Sequence, residues 1–231
     1  MLKIVGVGLD DGEVTSKGIS AIRNSEKVFA EFYTNTETID LDSLEEETGK
    51  EIQKLSREEV ERNDKVLDSA KEHNTAFLVS GDPITATTHY DIKHRAEKED
   101  IDTDVIHAPS ILTSVAETGL NVYKFGRVVT LPEASKPQSL IEHIEKNDEI
   151  GLHTLVLLDI NYRADKAAKK LIDMNEDLRD REAIFFERAN SETQSVTHGE
   201  LGELEAKGET PHSIILIGET SHKEEENLEA H

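Results

Sequence analysis

The chain has 231 residues, no cysteine, and 49 acidic against 26 basic side chains, giving a net charge of −23 at neutral pH. Without cysteine, disulfides and thiolate metal sites are excluded. Without a basic run, so is ordinary nucleic-acid binding. Hydrophobic residues make up only 35%, a level at which disorder must be considered. They fall, however, in short blocks at 76–79, 155–158 and 214–217, which read as strands buried on both faces.

Aspartate and glutamate are spread through nearly every segment. An even acidic surface suits molar salt, where screening acts over about 3 Å, and a halophilic protein is expected; an ordinary acidic protein is the alternative. The opening Met1–Gly6 has no basic leader, and no apolar run approaches the roughly 20 residues of a membrane span. The expected location is the cytoplasm.

In chain order, Leu2–Val7 reads as a strand ending in Gly6-Val7-Gly8. A helix follows with Val14, Gly18, Ala21 and Ile22 on one face, capped by Thr15 or Ser16. Val28–Phe32 is a second strand. Residues 41–74 are charged and mostly helical, with a short strand near Ile52. Ala76–Val79 is a strand, Thr87–Lys98 a helix, Asp104–His107 a strand, and a further helix starts at Pro109. This alternation predicts an α/β domain with a largely parallel sheet. The pattern then restarts, with strands at 127–130, 154–158, 183–188 and 213–217 and helices at 138–145 and 164–174. The junction falls around Gly119–Gly126, and the charged tail from Lys223 is expected to fray.

Three strand ends attract attention, because ligands of open α/β sheets bind beyond the carboxyl ends of strands. Gly6-Val7-Gly8 lacks the third glycine of the dinucleotide fingerprint, since Asp11 occupies its place, so a nicotinamide is disfavoured. A plain tight turn is the alternative there. Gly81-Asp82-Pro83 follows the 76–79 strand and leads into Thr85-Ala86-Thr87-Thr88-His89, a run of hydroxyls and amides near a helix start; a simple capped turn explains the same residues. His107-Ala108-Pro109-Ser110-Ile111 follows the next strand and is placed to line the same crevice as Asp82. The histidines lack zinc-ligand spacing, so no metal site is expected.

Together these segments resemble the tetrapyrrole methylase family: the glycine strand end, Thr15, Gly18, Val28-Phe29-Ala30-Glu31 and Gly81-Asp82-Pro83 carry the likeness. Within it the resemblance is closer to the branch that methylates elongation factor 2. That likeness rests on residues 28–34, Ala86-Thr87-Thr88-His89, His107–Ile111, Thr118-Gly119-Leu120, Tyr123-Lys124-Phe125-Gly126, Gly151–Leu155, Leu158-Asp159-Ile160, Arg188-Ala189 and Pro211-His212. Leu131–Ser135 departs from the branch, looking shorter than its usual loop, and so does the acidic tail.

The resemblance implies two α/β domains, 1–114 and 115–231, with the active-site cleft between them. It implies S-adenosyl-L-methionine as cofactor, held at the positions of Leu9, Asp82, Thr85, Ser110, Ile111, Leu158, Ala189 and His212. The implied reaction is N-methylation: the amino group of a 2-(3-carboxy-3-aminopropyl)histidine on elongation factor 2 is trimethylated to diphthine. A homodimer is implied as well. Tyr33 and His89 lie in matching segments and are candidates to touch substrate, but no catalytic base is assigned. A corrin or precorrin C-methyltransferase of the same fold, and a non-enzymatic adaptor, are the alternatives.

Overall fold

Leu2, Ile4 and Val5 are wholly inaccessible, as expected of a central strand covered on both faces. They lie in β1 (Leu2–Gly6). A computed structural model of the protein describes residues 1–31, 39–61 and 63–229, and the chain divides into two units, Met1–Leu112 and Thr113–His231.

The first unit continues with α1 (Ser16–Arg23), β2 (Lys27–Glu31), α2 (Leu41–Thr48), β3 (Gln53–Leu55), α3 (Arg57–Glu61), α4 (Lys65–Glu72), β4 (Thr75–Val79), α5 (Tyr90–Lys98) and β5 (Thr103–Ile106). Its sheet runs β3-β2-β4-β1-β5, and every pair in it is parallel. Alternate residues feed two cores. Val5, Ala76 and Leu78 pack with Ile19 and Ile22 of α1, while Ile4, Phe77 and Val79 pack with Leu67 of α4 and Ile92 of α5. Thr15 caps α1 by accepting from the Gly18 amide. The expected helix over 87–98 starts only at Tyr90: Ala86 adopts φ 57°, and the Thr87 hydroxyl engages His89, which keeps the intervening backbone in turns.

A short helix, α6 (Ile111–Ser114), leads into the second unit. There follow β6 (Val129–Leu131), α7 (Gln138–Asp148), β7 (Thr154–Leu158), α8 (Ala164–Met174), β8 (Glu182–Glu187), β9 (Ser195–Glu200), β10 (His212–Leu216) and α9 (His222–Leu228). The sheet order is β6-β7-β10-β8-β9. Only β6 and β7 pair in parallel; the other three pairs are antiparallel. The largely parallel expectation therefore holds for the first unit and is corrected for the second. The reason is topological: β8 and β9 form a hairpin, and β10 inserts between β7 and β8, antiparallel to both. Val129, Leu140, Ile144, Val156, Ala168, Leu171, Phe185 and Ile214 form its core.

The tail is also corrected. It forms α9, opened by a capping box in which the Ser221 side chain accepts from the Glu224 amide and the Glu224 carboxylate accepts from the Ser221 amide. Residues 230–231 of that tail lie outside the described residues.

Candidate cofactor site at the strand ends of each unit

In the first unit three loops converge at the carboxyl ends of β1, β4 and β5. Gly6 is where they touch: a Cβ there would sit 2.6 Å from the Gly81 carbonyl oxygen and 2.8 Å from Ala108 Cβ and Pro83 Cδ. Only glycine permits that approach. Gly81 itself has φ 65°; its amide donates to the Gly8 carbonyl at 2.6 Å, and the Gly8 amide donates back at 3.3 Å. A Cβ on Gly81 would meet Leu9 Cδ2 at 3.5 Å and the Pro109 carbonyl at 3.9 Å. Leu9, Asp82 and the 107–110 segment are therefore neighbours.

Asp82 is 6% exposed. Its Oδ1 accepts from Thr85 Oγ1 at 2.7 Å and from the Ile84 amide at 3.3 Å, and its Oδ2 lies 2.6 Å from His107 Nδ1. Burial alone would push the carboxyl up, but the Thr85 hydroxyl, the His107 ring and the Ile84 amide outweigh it and hold Asp82 below the usual carboxylate range. The three loops that carry this ionised carboxylate and its His107 partner also hold half-buried Leu9 and Ile111 and buried Ser110. This set suits a ligand with an apolar ring, hydroxyls and a positive charge, which are the features of S-adenosylmethionine.

The Thr85 side chain is committed to Asp82, so it stiffens the loop. His89 is 2% exposed and packs edge-on against Phe77, ring centroids 5.4 Å apart; with Thr87 it supports the same loop. Tyr33 lies outside the described residues.

In the second unit the register gathers the other three positions at one end of the sheet. Leu158 ends β7. His212 opens β10, pairing with Glu187 at the end of β8, and Ser213 pairs with Leu157. Ala189 follows β8, buried at 9%, between Arg188 at φ 44° and Asn190 at φ 70°. Two non-glycine residues in the left-handed region within one turn are a costly arrangement that clusters at functional sites. The Arg188 guanidinium helps hold the turn, donating to Thr193 Oγ1 at 2.7 Å and to the Glu209 carbonyl at 2.8 Å.

His212 is 4% exposed, and both ring nitrogens are occupied. Nδ1 accepts from the Ala164 amide, the first of α8, at 3.1 Å, and Nε2 lies 2.7 Å from the Glu209 carbonyl. A carbonyl only accepts, so Nε2 carries the proton and the ring is neutral. Burial comes first among the causes that lower its pKa. The ring therefore fixes the helix start, and any ligand contact at this position falls to its backbone. Among the described residues no group of three His, Asp or Glu could hold a metal.

Sequence reasoning named both sets of positions as cofactor contacts. It put the 107–111 segment in the crevice of Asp82 but did not reach the hydrogen bond between Asp82 and His107.

Comparison with known proteins bears on what these sites do. Residues 1–205 match the family described as tetrapyrrole (corrin/porphyrin) methylases. The diphthine synthase of Methanocaldococcus jannaschii is 37% identical over 99% of this chain and 97% of its own. The diphthine methyl ester synthase of Yarrowia lipolytica is 35% identical over 96% of this chain and 86% of its own. A crystal structure of diphthine synthase superposes with a TM-score of 0.92 at 32% identity, covering 99% of this chain and 94% of that one.

Proposed function

The chain belongs to the tetrapyrrole methylase family and, within it, to the diphthine synthases, an S-adenosylmethionine-dependent methyltransferase of diphthamide biosynthesis, and from that premise we propose that it trimethylates the amino group of the modified histidine on elongation factor 2. The observation that carries the acceptor assignment is the 37% identity over 99% of the chain to a diphthine synthase. We assign cofactor contacts to Leu9, Asp82, Thr85, Ser110 and Ile111 in the first unit and to Leu158, Ala189 and His212 in the second. Support for them is the clustering of each set at one end of its sheet and the ionised Asp82. Among the described residues no helix is long and apolar enough to cross a membrane, which agrees with a cytoplasmic protein. A homodimer and a high-salt environment complete the reading, the latter supported by the net charge of −23.

The test is incubation with methyl-labelled S-adenosylmethionine and elongation factor 2 carrying the unmethylated aminocarboxypropyl group, in molar salt. Label on the factor is expected. A protein acceptor left unlabelled, with label passing instead to a corrin precursor, would replace this reading with the tetrapyrrole one. Because some relatives are named for the methyl ester, the product's mass also decides whether the carboxylate is methylated after the amine.

A further inference from the structure

An alkylammonium has no lone pair, so each amine that attacks a methylsulfonium must first lose a proton. Resting on the methyltransferase reading above, we propose that His107 is the general base that takes this proton, oriented by Asp82.

The arrangement is that of a base held by a buried carboxylate. Asp82 Oδ2 lies 2.6 Å from His107 Nδ1, and its other oxygen is filled by Thr85 and the Ile84 amide. An ionised carboxylate only accepts, so Nδ1 bears the hydrogen, and in the neutral ring Nε2 keeps its lone pair. None of the described residues bonds that Nε2. The carboxylate side chain is 7% exposed and the imidazole 66%: the anchor is buried and the working edge faces outward. Asp82 is the charged group in contact with the ring among the described residues; Asp104, on the strand before it, is paired with Lys17. The position is also right, because His107 and Asp82 lie on the same two loops as the proposed contacts Ser110, Ile111 and Thr85.

S-adenosylmethionine supplies the methyl group: as the N–C bond forms, the C–S bond breaks and its electron pair stays on sulfur as a neutral thioether. His107 Nε2 receives the proton of the acceptor ammonium before that step. Asp82 offsets the imidazolium so formed, and the exposed ring releases its proton to water before the next round. Every round up to the quaternary product sheds one proton by this route.

The experiment compares wild type with His107→Gln, measuring S-adenosylmethionine affinity by calorimetry and kcat for transfer to the unmethylated factor across pH. Cofactor affinity should be unchanged. At neutral pH kcat should fall about 100-fold or more, with the deficit shrinking as pH approaches the amine's own pKa, and added imidazole should restore part of the rate to His107→Ala. A wild-type kcat in His107→Gln overturns the assignment and leaves the proposed function standing. A loss that is constant with pH, or that follows lost cofactor affinity, overturns it too, because a mere loop clamp would behave that way. If the wild type itself transfers no label, the proposed function fails and this inference with it.

Discussion

Asp82 is the side chain on which most of the first unit's site depends. It ties its own loop together through Thr85 and Ile84 and ties that loop to the next through His107. Asp82→Asn keeps the shape but removes the charge and places an amide donor among groups that already donate. Charge-assisted hydrogen bonds contribute about 1.5–3 kcal/mol each. The S-adenosylmethionine Kd should therefore rise about 10-fold or more, as calorimetry would show, while the exposed His107→Gln leaves it alone; equal affinity in Asp82→Asn would remove Asp82 from the cofactor contacts. The segments Gly81–Thr85 and His107–Ile111 are legible in the sequence because a strand end followed by glycine, proline and hydroxyl residues has few purposes. The bond between them is not legible. Its partners lie 25 residues apart, and nothing in a linear pattern says which of ten histidines meets which of many carboxylates. His212 shows the converse, since its place in a matching segment is readable but the commitment of both its ring nitrogens is a matter of tertiary contact.

At the level of elements, α9 shows why composition misleads. Its sequence, HKEEENL, is mostly charged and resembles a solvated tail, yet Glu224 within it is 2% exposed. The carboxylate accepts from the Asn121 amide at 2.9 Å, Lys124 Nζ at 2.8 Å and the Ser221 amide and hydroxyl at 2.8 Å each, and it lies 3.0 Å from Nε2 of the wholly buried His153. The Gly218 amide donates to the other ring nitrogen, Nδ1. This network explains the Tyr123–Gly126 and Gly151–Leu155 segments: they brace the helix and the β6–β7 edge. The strand β9 was missed for a related reason. Ser195–Glu200 is a half-buried edge strand whose polar residues leave no alternation to read. Removing the charge with Glu224→Gln leaves Lys124 without its counter-ion and should cost about 3 kcal/mol in denaturant unfolding. Burial is the largest influence on Glu224 and opposes ionisation, but the Lys124, Asn121, Ser221 and His153 donors override it and hold the carboxyl far below its ordinary 4.5. Burial likewise lowers His153 and His212 from their ordinary 6.5, against the pull of Glu224 on the former. All three groups are depressed in the folded state, so the unfolded chain binds their protons first as pH falls. Stability should be level above about pH 7, decline below 6.5 as unfolded histidines charge, and drop more steeply below 4.5. Glu224→Gln should flatten that second limb; an unchanged acid limb would mean the network carries no linkage.

The net charge of −23 acts on the molecule as a whole. Many of the ion pairs are exposed, such as Lys136–Asp173, Lys223–Glu226 and Arg179–Glu176, and pairs of that kind contribute about 0–1 kcal/mol. They use up scarce cations without cancelling the excess. Two opposed effects follow when salt is added. Screening weakens these attractive pairs, a small loss spread over sites that contribute little. Screening also weakens repulsion among the surplus carboxylates, a long-range term that grows with the net charge and is strongest where the Debye length is about 30 Å, in 0.01 M salt. At 1 M that length is about 3 Å, and only contacts survive. The repulsive term is the larger, because exposed pairs of this kind each contribute little while the repulsion grows with the net charge of −23. The melting temperature should rise from low to molar potassium chloride, and most of the gain should come below roughly 0.2 M if screening alone is responsible. A rise that continues in proportion beyond 1 M points instead to salt-strengthened apolar burial, and a fall across the whole range would remove the salt-adapted reading while leaving the methyltransferase assignment untouched. The acceptor experiment depends on the same term: with an elongation factor 2 that is itself acidic, encounter is slowed by repulsion in dilute buffer, so the transfer rate per enzyme at subsaturating factor should climb with salt while kcat at saturation stays level.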